Sequence, residues 1–101
     1  NTVLKNDPAN FNATDALGLV MLKQQNAPAA AAQFKKAKTL NPADPLVYYH
    51  LGQAYIMLKE MNKAQKALQT AVQKASLPNQ PPAVTTALPA IKKALKDINI
   101  H

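Results

Sequence analysis

The sequence contains no cysteine and no tryptophan, and only two of its 101 residues are glycine. Without cysteine, the chain has neither a disulfide framework nor a thiolate nucleophile, and its redox compartment stays open. So few glycines are unusual for a β-rich or loop-rich protein. The hydrophobic content is nevertheless 48%, with only 5% aromatic residues, so small aliphatic side chains dominate. Alanine and leucine favour helices, and we therefore predict an all-α fold.

Acidic residues are also scarce, since five of them stand against twelve lysines and the net charge is +7. Arginine is absent, although its planar guanidinium is the usual reader of phosphates. A nucleic-acid-binding protein with neither arginine nor clustered aromatics would be unusual, so we expect no nucleic-acid partner. We interpret the lysines as a solvated surface, with an acidic partner or an anionic surface as the alternative. No apolar run approaches the roughly 20 residues of a membrane span.

No arrangement of residues in the sequence predicts catalysis. The acidic residues are scattered, and no pair of them has the helical spacing of a metal-ligand set. His50 therefore fits a hydrogen-bonding role better than a metal site. A Ser/His/Asp arrangement and a glycine-rich phosphate loop are also missing. We predict a protein that is not an enzyme and that needs no cofactor.

The sequence repeats itself with a period of 34 residues. This interval separates Gly18 from Gly52, and it also separates Phe34 from Leu68. A fixed period of this length indicates stacked copies of one supersecondary unit. We expect the tail of a preceding repeat in residues 1–10, one unit in 11–44, a second in 45–78, and a linker with a final helix in 79–101.

Prolines and helix-capping residues predict where the helices begin and end. Pro28 fits the first turn of one helix, while Asp44 and Pro45 fit the cap and first turn of the next. Pro8 is expected to end a helical stub, with a new helix over residues 11–24. The expected buried stripe of that helix is Ala13, Leu17, Val20 and Met21.

The C-terminal segment has a different pattern from both units. Its apolar residues recur at alternating intervals of four and three, which predicts an amphipathic helix with lysines on the opposite side. Pro89 lies inside this pattern, and we favour one helical segment that is distorted there. The apolar stripe consists of Val84, Leu88, Ile91, Leu95 and Ile98.

Tyr48, Leu51, Gly52 and Tyr55, followed by Ala64, Leu68 and Ala71, resemble a tetratricopeptide repeat. Leu17, Gly18 and Met21, followed by Ala30, Phe34 and Ala37, resemble a second copy. The resemblance implies a right-handed α-solenoid of antiparallel helical hairpins, two repeat units with a C-terminal capping helix. The chain is similar to bacterial repeat proteins, and we expect it to be the C-terminal fragment of a longer repeat array. The compartment stays open between the bacterial envelope or periplasm and the cytoplasm.

The same resemblance implies a concave groove that is lined by the first helix of each unit. Tyr49 is the best anchor candidate because it is large, fairly rigid and amphipathic. Simple packing against neighbouring helices is the alternative for each apolar member. Asp15, Leu19 and His50 stand where a chaperone-binding subfamily has carboxylate-binding residues, so we exclude that activity. The expected groove residues are Asn12, Asp15, Leu19, Leu22, Lys23, Leu46, Tyr49, His50, Gln53 and Ile56.

The resemblance therefore implies a protein–protein interaction module or scaffold that docks a partner segment in this groove. The alternative is a structural self-assembly element. In that case a homodimer would form through the exposed face of the first helix or through exchange of the C-terminal helix. The sequence does not identify the partner.

Overall fold

The part of the chain that the structure describes is entirely helical between short turns. The computed structural model describes the backbone of residues 8–100 and the side chains of residues 11–98. The all-α prediction is thus confirmed, whereas the predicted helical stub in residues 1–7 lies outside the described residues. The helices are α1 (Pro8–Lys23), α2 (Ala27–Leu40), α3 (Pro45–Met57), α4 (Met61–Ala75) and α5 (Pro82–Ile100).

Most helix boundaries are those predicted from the capping residues and prolines. Asp44 caps α3, because its side-chain Oδ1 accepts a hydrogen bond of 2.9 Å from the backbone N–H of Leu46. Pro28 lies in the first turn of α2, as expected. Helix α1 begins at Pro8 and not at residue 11, since proline is well tolerated in a first helical turn.

The turns inside the two hairpins have the same backbone geometry. Gln25 and Lys59, which are 34 residues apart, both adopt the left-handed conformation, with φ of 62° and 61°. In each turn the next residue donates a backbone hydrogen bond of 2.9 Å back into the preceding helix, to Met21 in one hairpin and Tyr55 in the other. The sequence period is therefore also a structural period.

The helices stack in the order of the sequence, with each hairpin packed on the next. Helix α3 packs against α2 and also touches α1, while α5 packs against α4 and also touches α3. Helix α5 consequently occupies the position that the first helix of a third unit would take. The role of α5 as a cap stays a prediction.

Each of the two glycines lies directly against a large side chain from the second helix of its hairpin. A Cβ atom on Gly18 would lie 2.5 Å from Cε1 of Phe34, and one on Gly52 would lie 2.7 Å from Cδ2 of Leu68. Both facing side chains are fully buried. The period of 34 residues thus pairs each glycine with the large side chain that fills its space.

The predicted buried stripe of α1 is wrong for three of its four members. Ala13 is exposed, Leu17 is 45% exposed and Val20 is 50% exposed, so only Met21 packs against the core. Helix α1 buries the opposite side, where Phe11, Thr14 and Gly18 face α2 and α3. The spacing predicted the wrong buried side because both sides of this helix carry apolar residues.

Helix α5 buries the stripe that its spacing predicts. Ile91 is fully buried and Val84 nearly so, while Leu88, Leu95 and Ile98 are half-buried. The lysines at 92, 93 and 96 are exposed on the other side. The helix continues through Pro89 as one segment. A polar outer face of this kind is typical of the terminal unit of a repeat array.

Candidate functional site: the groove formed by α1 and α3

The ten predicted groove residues lie on the first helices of the two units, five on α1 and five on α3. Asn12 and Lys23 are exposed, and the other eight are half-buried. A half-buried side chain is anchored at its base while part of its surface stays open to solvent. That these residues line a binding groove stays a prediction.

A polar contact between two of these residues joins the two units. Asp15 Oδ1 on α1 lies 3.0 Å from Nδ1 of His50 on α3. Both side chains are less than one-fifth exposed, which shields the contact from solvent. The His50 ring also lies against aromatic neighbours, with ring centroids 5.4 Å from Phe34 and 5.8 Å from Tyr49. Side chains from both units therefore tie α1 to α3 at this point.

A second carboxyl group lies close to this pair. Burial raises the pKa of Asp44 above its usual value of 3.8, and the nearby charge of Asp15 acts in the same direction. The hydrogen bond from the Leu46 N–H and the proximity of His50 oppose this rise in pKa. Sequence reasoning identified Asp44 only as a helix cap, because its nearness to Asp15 depends on how the two units stack.

The apolar groove residues also take part in packing between helices. Leu19 and Leu22 pack against the core formed around Phe34 and Leu51. Tyr49 and Ile56 pack against a separate cluster that includes Leu68 of α4 and Ile91 of α5. Tyr49 is therefore supported by the C-terminal helix as well as being partly open to solvent.

Helix α5 contributes a groove neighbour that the sequence analysis did not select. Ile98 packs against both apolar clusters and so lies where the second unit meets the end of α5. At the other end, Leu46 lines a cavity of about 350 Å³ together with Val84. The apolar stripe of α5 already marked Ile98 and Val84 as buried, but the sequence did not predict that this helix would run beside α3.

The described part of the chain offers little for other kinds of chemistry. Among the described residues, no three His, Asp or Glu side chains are placed to hold a metal ion. No helix in that part is both long and apolar enough to cross a bilayer.

Comparison with known protein families agrees with this geometry. The family model described as tetratricopeptide repeat matches residues 21–81, which is more than half of the chain. The chain belongs to the tetratricopeptide repeat family. No curated protein and no solved structure gives a significant match. Tetratricopeptide repeats generally mediate protein–protein interaction, and as a family they are non-catalytic interaction modules.

Within this tetratricopeptide repeat protein, the family match begins at Met21, near the end of α1. The matched part contains the residues that carried the resemblance in the second unit, and Leu51, Gly52, Tyr55, Ala64, Leu68 and Ala71 are all buried there. Most of α1 lies before the match. This is the helix whose buried side the sequence pattern did not predict.

Proposed function

We propose that the groove formed by α1 and α3 docks a segment of a partner protein. The contact between Asp15 and His50 is the observation that carries this proposal, because it fixes two helices from different units as one surface. A preformed surface lowers the entropy that binding would otherwise cost. Half-buried Leu22, Tyr49 and Gln53 supply a mixture of apolar and polar contacts. Such a mixture suits an extended or helical segment with apolar anchors.

A matched pair of tyrosine variants tests this proposal. Tyr48 and Tyr49 are adjacent on α3, are both half-buried, and pack against the same cluster around Leu68. Tyr48, however, lines a different surface, between α2 and α4. Truncating either ring therefore removes similar packing, and only Tyr49→Ala changes the proposed groove.

The probe is a fluorescent peptide selected on the wild-type protein from a displayed library of random sequences. We expect Tyr49→Ala to weaken its binding at least several-fold and Tyr48→Ala to leave it within about twofold, since anchors dominate interface energies. Circular dichroism checks that both variants are folded. Equal affinities of the wild type and Tyr49→Ala would contradict the proposal.

A second candidate function is self-assembly through α1. Leu17 and Val20, with Ala13 and Ala16, form a stripe of exposed apolar residues along this helix. Exposed apolar surface of this kind is a common feature of protein–protein contacts. A second copy of the chain would cover the stripe if two α1 helices packed together around a twofold axis.

A further inference from the structure

The lysines of the two repeat units lie mostly on the second helix of each unit. Helices α2 and α4, the second helices of the two hairpins, carry three lysines each and no acidic residue. Helix α3 has no lysine and no acidic residue, and α1 carries one lysine and one aspartate. The excess positive charge of the repeat units is therefore concentrated on the layer opposite the concave groove.

A surface groove of about 410 Å³ runs between α2 and α4. We call it the outer groove. Its floor is formed by Tyr48, Leu51 and Tyr55 of α3. Its walls carry two lysines from each side, spaced three residues apart on both helices. They are Lys35 and Lys38 on α2, and Lys63 and Lys66 on α4.

The lysine stems are arranged around the tyrosine rings of the floor. The Nζ atoms of Lys35 and Lys63 lie 5.9 Å and 5.8 Å from the centre of the Tyr55 ring. These contacts hold the ammonium groups of opposite walls over one floor residue. Among the described residues, Lys63 lies 3.1 Å from a carboxylate oxygen of Glu60, and that ion pair is solvent-exposed and readily exchanged.

We propose that the outer groove binds an acidic segment of a partner protein, independently of the concave groove. Four lysines line one groove there, and the ammonium groups of Lys35 and Lys63 lie over the same tyrosine ring, so carboxylates would offset their repulsion. An extended peptide directs successive side chains to opposite sides, and its carboxylates reach both walls. The half-buried ring of Tyr48 is the part of the floor that remains open to the other side chains of the peptide.

The geometry favours an acidic peptide over a nucleic acid. Single-stranded nucleic acids bind through open aromatic faces on which bases stack. In the outer groove Tyr55 is only 8% exposed and its ring is already flanked by two lysines. The chain also has no arginine, which is the side chain best suited to bidentate phosphate contacts.

Fluorescence anisotropy with defined probes tests this proposal on the whole chain. The acidic probe is a labelled nine-residue peptide in which pairs of adjacent glutamates are separated by single leucines, so that the two carboxylates of each pair face opposite walls. A second peptide has glutamine at each glutamate position, and a labelled oligothymidine supplies a phosphate backbone. We expect the acidic peptide to bind at 50 mM salt at least about tenfold more tightly than either of the other probes.

Charge-matched variants separate the outer groove from general attraction. Lys38→Gln with Lys66→Gln removes two charges from its walls, whereas Lys36→Gln with Lys93→Gln removes two exposed charges outside it. We expect the first pair to weaken binding of the acidic peptide about tenfold and the second pair less than threefold. Melting curves check that both proteins are folded.

Three results would overturn the proposal: no binding of the acidic peptide, equal losses in the two double variants, or tighter binding of oligothymidine. The last result would assign the outer groove to nucleic acid. Tyr49→Ala should leave the affinity for the acidic peptide within about twofold. The result for the outer groove is therefore independent of the result for the concave groove.

Discussion

Gly18 and Gly52 are the residues at which the repeat is most tightly constrained. Each faces a fully buried side chain at a distance that leaves no room for a Cβ atom. We expect Gly18→Ala to lower the free energy of unfolding by about 1–2 kcal/mol, because overpacking outweighs the gain in helix propensity. Gly52→Ala should cost less, since the Leu68 side chain rotates more easily than the Phe34 ring.

Urea denaturation of single and double variants measures this effect. Phe34→Leu frees space beside residue 18, so the double variant with Gly18→Ala should be more stable than the sum of the two single effects predicts. Strict additivity would show that the Cβ atom and the ring do not compete for the same space.

Lys59 occupies a left-handed turn position that glycine adopts without strain. Lys59 follows Leu58, the C-cap of the first helix of the second unit, and its φ is 61°. We expect Lys59→Gly to raise the free energy of unfolding by about 0.5–1 kcal/mol, because it removes the steric cost of a side chain in this conformation. Lys36→Gly, at an exposed position inside α2, is the control and should instead lower stability by about 1 kcal/mol. Equal losses in both variants, measured by thermal denaturation, would contradict this interpretation.

Asp44 gives the stability of the protein a pH dependence of known sign. Its pKa in the folded state is raised above 3.8 by burial, so the folded chain binds this proton more tightly than the unfolded chain. The stabilising contribution is fully present below pH 3.8 and is lost as the pH rises through the raised pKa. Asp44→Asn, which keeps an N-cap acceptor, should remove this contribution.

The difference in unfolding free energy between Asp44→Asn and the wild type should therefore shift in favour of the variant as the pH rises from 3 to 7. Asp44→Ala, which lacks the cap, should be less stable than Asp44→Asn by roughly 1 kcal/mol. Urea titrations at several pH values provide both comparisons. A constant difference between Asp44→Asn and the wild type across this range would show that the carboxyl group is not perturbed by folding.

At the scale of elements, α1 and α5 show what a hydrophobic pattern does and does not determine. The stripe of α5 was predicted because its apolar and charged residues lie on opposite sides, leaving one possible orientation. Helix α1 carries apolar residues on two sides, and spacing alone does not say which one is buried. The choice depends on Phe11, which packs with Ala37 of α2 and Val47 of α3.

The turns and caps were predictable for a different reason. Asp44, Pro45 and Pro28 act through local backbone chemistry, which does not depend on the rest of the fold. The contact between Asp15 and His50 joins residues 35 positions apart, so it follows from the stacking of one unit on another. The family resemblance placed both residues in the groove, whereas their pairing required the structure.

At the scale of the whole molecule, the two ends of the stack differ. Helix α5 turns exposed lysines outward, whereas α1 turns outward the stripe that contains Leu17 and Val20. If copies of the chain associate through α1, Leu17→Lys with Val20→Lys should abolish the association without unfolding the protein, because both side chains are already about half exposed. Sedimentation velocity across a range of concentrations measures this, with Lys92→Gln and Lys93→Gln on α5 as the control pair. A wild-type protein that is monomeric at every concentration would eliminate self-assembly.

The two proposed surfaces lie on opposite layers of the same stack, so one protein is suited to hold two segments at once. The concave groove is built from α1 and α3, and the outer groove has its walls on α2 and α4. Occupying one surface leaves the other open. This separation fits the role of a scaffold, in which distinct partners are held by distinct faces.

Mapping backbone amide chemical shifts on the labelled protein tests the central claim, a concave binding groove, most directly. When the library-selected peptide is added, we expect the largest changes at Leu19, Tyr49 and Gln53, with Lys36 and Gln69 on the second helices unchanged. Changes concentrated on α2 and α4, or spread evenly over the molecule, would contradict the claim.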